Sequence, residues 1–435
     1  MATQPKTFSA NTVDASGRRR IAELAEQTAL SDAQRWFTRE RAWINEQHLA
    51  LCRIPAPTFF EQQRAEWFRS QLETLGWSAR IDRAGNVLAK FGARSSFETR
   101  EAPLIISAHL DTVLAPRRPG EIYYGPDGRL FGPGVSDNGT GLAALFAIAR
   151  MLKESPELYE LAASLLLIAN VGEEGEGNLS GMRYLCRQSS FPNSTTFIVL
   201  DGPSIEHITV QALASRRFEI TLIGPGGHSW NDYGTPNPVH ALTQAVSEFL
   251  QSADSRMNGD LKGRCSYNFG VIEGGSSVNS IPAEARAKLD LRSEEANMFD
   301  EFSSLLNSAV EHALERENKG PRTARLSAKI RSLGARPGGT LPGGSHVLKT
   351  VQAVDEHLKI HSRIDCASTD ANIPLSLGLP AISIGTGGQG GGAHTTEEWY
   401  QPEGRDLGLQ RILLILAALA ADKRGDPRST LSAEL

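Results

Sequence analysis

The chain has 435 residues, 40% hydrophobic and 22% charged, with a formal net charge of -5. That composition builds a globular protein with a sizeable core, and at ~150 residues per domain it suggests two or three domains. The slightly acidic balance excludes a general electrostatic drive toward nucleic acid or an anionic membrane surface.

The first twenty residues are polar, lack a signal-peptide apolar core, and read with residues 424–435 as polar tails. No segment approaches the ~20 apolar residues of a membrane helix, so the expectation is a cytoplasmic protein. Residues 17–75 read as helical: Leu24, Leu30, Trp36, Trp43, Leu49, Trp67 and Leu72 recur at helical spacing, interrupted by Pro55-Ala56-Pro57. Four scattered cysteines, Cys52, Cys186, Cys265 and Cys366, show no CxxC spacing and read as reduced thiols.

Short apolar runs follow at 104–107, 164–169, 197–200 and 381–384, with helical stretches such as 141–153 between them. Runs of this kind are buried parallel strands, and the alternation predicts an α/β fold with a mixed, mostly parallel sheet and helices on both faces. The middle of the chain differs. Strand-like and helical segments at 217–223, 239–251, 266–272, 285–292, 299–316 and 325–332 give the order β-α-β-β-α-β of a ferredoxin-like α+β unit. The expected organisation is one discontinuous domain, 1–207 with 337–435, interrupted by an inserted domain at 208–336. "GARPGGTLPGG" (334–344) reads as a hinge.

The apolar strands end in groups that can bind metal. "LIISAHLDTV" ends in His109 and Asp111, "LLLIANVGEE" in Glu173 and Glu174, and "FIVLDGP" in Asp201. "AISIGTGGQGGGAHTTEEW" leads to His394, and "GVSDNGTG" sets Asp137 before a helix. Taken singly, each is an ordinary turn, cap or loop residue. Open α/β sheets, however, bind ligands beyond the carboxyl ends of their strands, where these groups fall together. Carboxylates gathered in one crevice repel unless cations lie among them. A pair of divalent ions resolves the conflict; histidine with carboxylate favours zinc, with cobalt or manganese as alternatives.

These motifs, with "GPGGHS", occur in the order and at the separations found in the M20 family of metallopeptidases, and the chain resembles its peptidase T-like and carboxypeptidase G2-like members. The resemblance implies that His109 and Asp201 hold one zinc, that Glu174 and His394 hold the other, and that Asp137 bridges them. It implies Glu173 as the general base that moves a proton from a metal-activated water to the leaving amine. Asp111 would orient His109, since residues two apart on a strand face the same way. A cis peptide is implied at Asp137-Asn138. In the inserted domain, which the resemblance makes a lid and a homodimer contact, His228 would reach into the partner subunit's active site and support the oxyanion, and Asn279 and Arg292 would touch the substrate. A turn histidine and a surface arginine are the plain alternatives. His207, His240, His346, His357 and His361 read as structural.

The expected activity is dizinc hydrolysis of an amide bond in short peptides, of the aminopeptidase, tripeptidase or dipeptidase type. Aspartate at position 201 and "STDANIPLSLGLPAISIGTGG" look peptidase T-like. An N-acyl or N-carbamoyl amino-acid amidohydrolase could use the same metals. A non-catalytic peptide binder would lack the base or a ligand, and here every one is present.

Overall fold

The computed structural model describes residues 15–92, 104–188, 191–258, 263–295, 298–320 and 323–423. Of the tails read at 1–20 and 424–435, residues 1–14 and 424–435 lie outside the described residues, whereas residues 15–20 are no tail: they open the helix Ala15–Ala25, whose Ile21 and Ala25 are buried. The chain divides into two compact units, Leu213–Gly338 and the segments flanking it.

The larger unit is built on a nine-stranded mixed sheet. Its strands run in the order Trp77–Ile81, Val87–Phe91, Leu165–Asn170, Leu104–His109, Thr196–Leu200, Ala381–Ile384, His207–Ala212; Gly339–Thr340 and Arg363–Ala367 both pair with the last. The four strands Leu165–Asn170, Leu104–His109, Thr196–Leu200 and Ala381–Ile384 are mutually parallel, and their neighbours on either side are antiparallel. Every residue of these four strands is buried, which is why they read as unbroken apolar runs and not as alternating ones.

Helices cover the sheet. Gly139–Glu154 and Arg405–Lys423 pack on Leu104–His109, and the four helices Ala15–Ala25, Thr28–Arg39, Arg41–Cys52 and Gln62–Thr74 account for the periodic N-terminal stretch. Gly139–Glu154 is apolar nearly all round, as a helix enclosed by its own protein should be. Its N-cap is Asn138, whose side chain accepts the Gly141 N–H.

Register decides where the strands stop. His109 pairs with Asn170, Ser107 with Val199 and Leu200 with Ile384. The carboxyl ends of all four parallel strands therefore come level at one edge, and the segments carrying Asp111, Glu173, Asp201 and His394 leave from that edge.

The smaller unit has four antiparallel strands, ordered Cys265–Gly274, Glu284–Ser293, Ala214–Ile223, Ser327–Arg336, with helices Pro238–Met257 and Met298–Glu317. Alternate residues Ala285, Ala287, Leu289 and Leu291 are buried and share one core with Phe249 and Phe302 of the helices. This is the split βαβ arrangement. The last strand runs further than its sequence suggests: a bulge between Ser332 and Gly334 carries the ladder on to Arg336, through residues that read as hinge.

Among the described residues, no helix is long and apolar enough to cross a membrane.

One ion pair is sealed inside the larger unit. Arg411 donates through Nε to Asp355 Oδ1 at 2.6 Å and through Nη2 to Oδ2 at 2.7 Å, with both side chains buried. It ties helix His346–Leu358 to helix Arg405–Lys423. Removing one partner strands the other charge in a low-dielectric interior, so Asp355→Ala should destabilise the protein by about 3–5 kcal/mol, read from urea unfolding.

Candidate active site

His109 closes its strand with the ring buried. Nδ1 lies 3.0 Å from the Asp111 carbonyl oxygen and 3.5 Å from its carboxylate, which turns Nε2 to within 3.1 Å of Asp137 Oδ1. The other carboxylate oxygen of Asp137 lies 3.1 Å from His394 Nε2, and the same nitrogen lies 2.9 Å from Glu174 Oε1. Asp137 is followed by a cis peptide to Asn138, whose side chain donates to the Leu200 carbonyl beside Asp201.

Two groups of potential ligand atoms result. His109, Asp137 and Asp201 form one, and Asp137, Glu174 and His394 the other, the atoms of each lying within 4.8 Å of one another. Asp137 belongs to both. A third grouping joins His109 to Glu173 and Glu174, so Glu173 stands on the same cluster. All six positions read from the sequence as ligands or base thus meet in one place.

Four carboxylates meet two imidazoles here, and the titration of the cluster reflects that. Burial and the neighbouring Asp137 carboxylate push Asp201 up to about 7. Hydrogen bonds to Asp137 and Glu174 raise His394 to about 10. Burial opposes charge on both His109 and Asp137, yet their hydrogen bonds win: His109 is raised well above the usual imidazole range, and Asp137 is held well below the usual carboxylate range. The donor set attracts positive charge.

The model for peptidase family M20/M25/M40 matches residues 105–418, which include every member of the cluster. The chain belongs to that family. The cytosol non-specific dipeptidase of Escherichia coli (strain K12) is 26% identical over 289 residues, covering 60% of this chain. The match spans 55%, about half, of that relative's own length. Among solved structures, a tripeptidase from Staphylococcus aureus subsp. aureus mu50 superposes with a TM-score of 0.68 at 18% identity, covering 87% of this chain and 98% of that one. The di-peptidase Dug1p of Saccharomyces cerevisiae superposes at 0.70 with 13% identity, over 90% and 98%. An amidase of the hydantoinase/carbamoylase family from Burkholderia vietnamiensis reaches 0.64 at 15%, over 87% and 97%. At these identities the structural likeness establishes the fold.

In this M20 chain the loops bearing the cluster are held by their backbone N–H groups. Four in succession are accepted by buried side chains. Val171 N–H goes to Asn86 Oδ1 at 3.0 Å, and Gly172 N–H goes to Glu61 Oε1 at 3.0 Å. Glu173 and Glu174 N–H go to the two carboxylate oxygens of Asp111, each at 2.9 Å. Asp111 therefore does more than face His109: it sets the backbone of both glutamates.

Glu398 does the same for the Asp137 loop. It accepts the N–H groups of Gly134, Ser136 and Asp137 at 2.7, 2.7 and 2.8 Å. On the other side His48 Nε2 sits 2.7 Å from the Val135 carbonyl, and Thr140 donates to that of Ser136 at 2.7 Å. Burial pushes Glu398 up to about 7 despite its three donors. The sequence assigned no role to Glu61, Asn86 or Glu398, and for Asn138 only the cis peptide, which the structure contains; a signal for Glu398 was an acid lodged between His394 and the apolar Trp399-Tyr400.

The glycine loop before His394 has a packing reason. At Gly388, with φ +84°, an added Cβ would lie 2.6 Å from the Gln401 carbonyl oxygen. His394 itself takes φ +65°.

The remaining predicted residues are in the smaller unit. His228 belongs to a two-residue strand paired with Ser280–Ile281, and the Asn279 carbonyl accepts the Ser229 N–H at 3.0 Å, so His228 and Asn279 are neighbours. His228 Nδ1 accepts the N–H groups of Trp230 and Asn231, which leaves the ring proton on exposed Nε2. Arg292 is not with them. It lies eight steps along Glu284–Ser293, roughly 27 Å of extended chain, with Nε donating to Asp290 at 2.8 Å.

Glu398→Gln would turn an amide N–H toward a backbone N–H of the Asp137 loop. The expected result is a folded protein whose affinity for zinc falls about 10- to 100-fold, measured by competition with a chromophoric chelator.

Proposed function

We propose that this protein is a two-metal exopeptidase acting on short peptides, with Glu173 as general base. The observation that carries the reading is the sharing of Asp137 between two ligand groups, with Glu173 beside them. His109 and Asp201 would hold one ion, Glu174 and His394 the other, and Asp137 would serve both. Imidazole nitrogen with carboxylate oxygen suits zinc, with cobalt or manganese acceptable to the same donors. Bound ions supply Lewis acidity, polarising the scissile carbonyl and acidifying the attacking water.

The chain's own residues would do the rest. Glu173, buried and with its N–H fixed by Asp111, takes the proton of the attacking water and returns it to the leaving amine. Asp111 keeps the His109 ring in place. In the proposed homodimer His228 would reach into the partner subunit's active site and offer Nε2–H to the developing oxyanion there, a reading supported by the two N–H groups that Nδ1 accepts. Asn279 lies close enough to His228 to meet the same substrate. Arg292 would have to leave Asp290 to hold a substrate carboxylate.

Short peptides are favoured because the E. coli relative is named a non-specific dipeptidase and one structural neighbour a tripeptidase. A cytosolic location follows the name of that relative. The inserted unit, 208–336, is proposed as lid and homodimer contact, on the resemblance of its "GPGGHS" segment.

A panel of dipeptides, tripeptides and N-acetyl and N-carbamoyl amino acids tests the substrate class. Hydrolysis of the short peptides is expected; turnover of the acylated compounds alone would transfer the reading to an amidohydrolase. Glu173→Ala should keep two metal ions per chain by elemental analysis and lose turnover by roughly 100-fold or more. A variant that stays active removes Glu173 as the proton carrier.

Protons and metal ions compete for these donors. His394, raised to about 10, and Asp201, raised to about 7, both bind protons at or below neutrality, and those protons must leave when metal enters. Apparent zinc affinity should therefore rise from pH 6 to pH 8, with protons released on binding. Titration in lightly buffered solution reads the release directly.

A further inference from the structure

The turn that follows Pro55-Ala56-Pro57 is fastened on both sides to the loops that carry the cluster. Thr58 donates its hydroxyl to Asp111 Oδ2 at 2.9 Å, and Glu61 accepts the Gly172 N–H at 3.0 Å. Phe60 N–H closes the turn on the Pro57 carbonyl at 2.8 Å. Pro57 forms a parallel bridge with Thr112, and the Thr112 N–H donates to the Ala56 carbonyl at 3.0 Å. The two anchors reach the two loops that bear His109 and the glutamate pair.

Between the anchors stand two phenylalanines exposed to solvent, Phe59 at 64% and Phe60 at 73%. Phe59 has φ +76°, a left-handed conformation that is uncommon for a bulky residue. The surrounding hydrogen bonds over-determine it, the pattern in which local strain accompanies a ligand clamp. The Pro57–Thr112 bridge sets the turn that carries Phe59 and Phe60 beside the segment that continues from Thr112. The segment after Thr112 presents Val113 and Leu114, exposed at 42% and 38%. Four exposed apolar side chains thus leave from the two segments that meet at Pro57 and Thr112, next to Asp111.

We propose that Phe59, Phe60, Val113 and Leu114 form an apolar subsite that receives an aliphatic or aromatic side chain on the residue flanking the scissile amide. The proposal rests on the peptidase reading and names its substrate class: short peptides with an apolar residue at that position. The occupant is a substrate side chain because Phe59 follows Thr58, whose hydroxyl shares Asp111 Oδ2 with the Glu174 N–H, which sets the patch close to the cluster. Asp111 also fixes the backbone of the proposed base. Apolar surface next to a reacting centre discriminates by burying matched side chains and refusing charged ones.

The test compares kcat/KM for dipeptides and tripeptides in which one position is varied among Leu, Phe, Asp and Lys. Wild-type enzyme should favour Leu and Phe over Asp and Lys at one position by roughly ten-fold or more. In Phe59→Asn, which accepts a left-handed backbone, and in Phe60→Ser, that ratio should fall toward one. Variant enzyme that keeps the wild-type ratio overturns the subsite. So does a change of oligomeric state in size-exclusion chromatography with selectivity intact, which would make the patch an interface between copies. Wild-type cleavage without any apolar preference overturns the subsite alone. Failure to cleave any peptide overturns the peptidase reading and the subsite with it.

Discussion

The structure around the candidate centre depends on one kind of interaction: a buried carboxylate or amide side chain accepting backbone N–H groups of a loop. Asp111, Glu61 and Asn86 take the four donors from Val171 to Glu174, and Glu398 takes three from Gly134 to Asp137. A loop at a strand end has no ladder to hold it, and its buried donors cost free energy if left unmade. Giving those donors to carboxylates satisfies them with charge-assisted bonds and fixes the side chains that point onward. Most of the backbone carrying Asp137, Glu173 and Glu174 is set before any ligand binds, which is the preorganisation that metal-centred hydrolysis needs.

The same arrangement sharpens the electrostatic conflict at the centre. Carboxylates that brace the loops stand close behind carboxylates that face the cluster, and burial raises Glu61 and Glu398 as it raises Asp201. The imidazoles of His109 and His394 answer part of that charge by holding protons more firmly than usual. A site built in this way favours cations and exchanges them against protons. The modest net charge of the whole chain gives no hint of this local gathering of carboxylates.

Much of this was legible in the linear chain. The apolar runs ending in His109-Leu110-Asp111, Glu173-Glu174 and Asp201 announced strands, because residues buried on both faces leave an unbroken hydrophobic signature. The β-α-β-β-α-β order of the smaller unit was likewise visible in its periodicities. Boundaries were less so. The strand Ser327–Arg336 passes through Gly334 and Ala335 by a bulge, and a glycine in an extended segment reads equally well as the start of a hinge. Arg292, expected at the substrate from the resemblance, lies on the exposed face of its strand paired with Asp290, toward the opposite end from His228.

By itself, the sequence determined which side chains end the apolar strands and therefore what donor chemistry is available. Local periodicity and residue type suffice for that, since each strand or helix writes its own burial into its own residues. Only the tertiary structure decided that Ser107 lies opposite Val199 and Leu200 opposite Ile384, bringing the strand ends level. It alone matched Glu398 to N–H groups more than 260 residues away and Glu61 to Gly172. A backbone N–H accepts any nearby carboxylate, so such pairings leave no periodic trace in the chain and arise only once the core has closed.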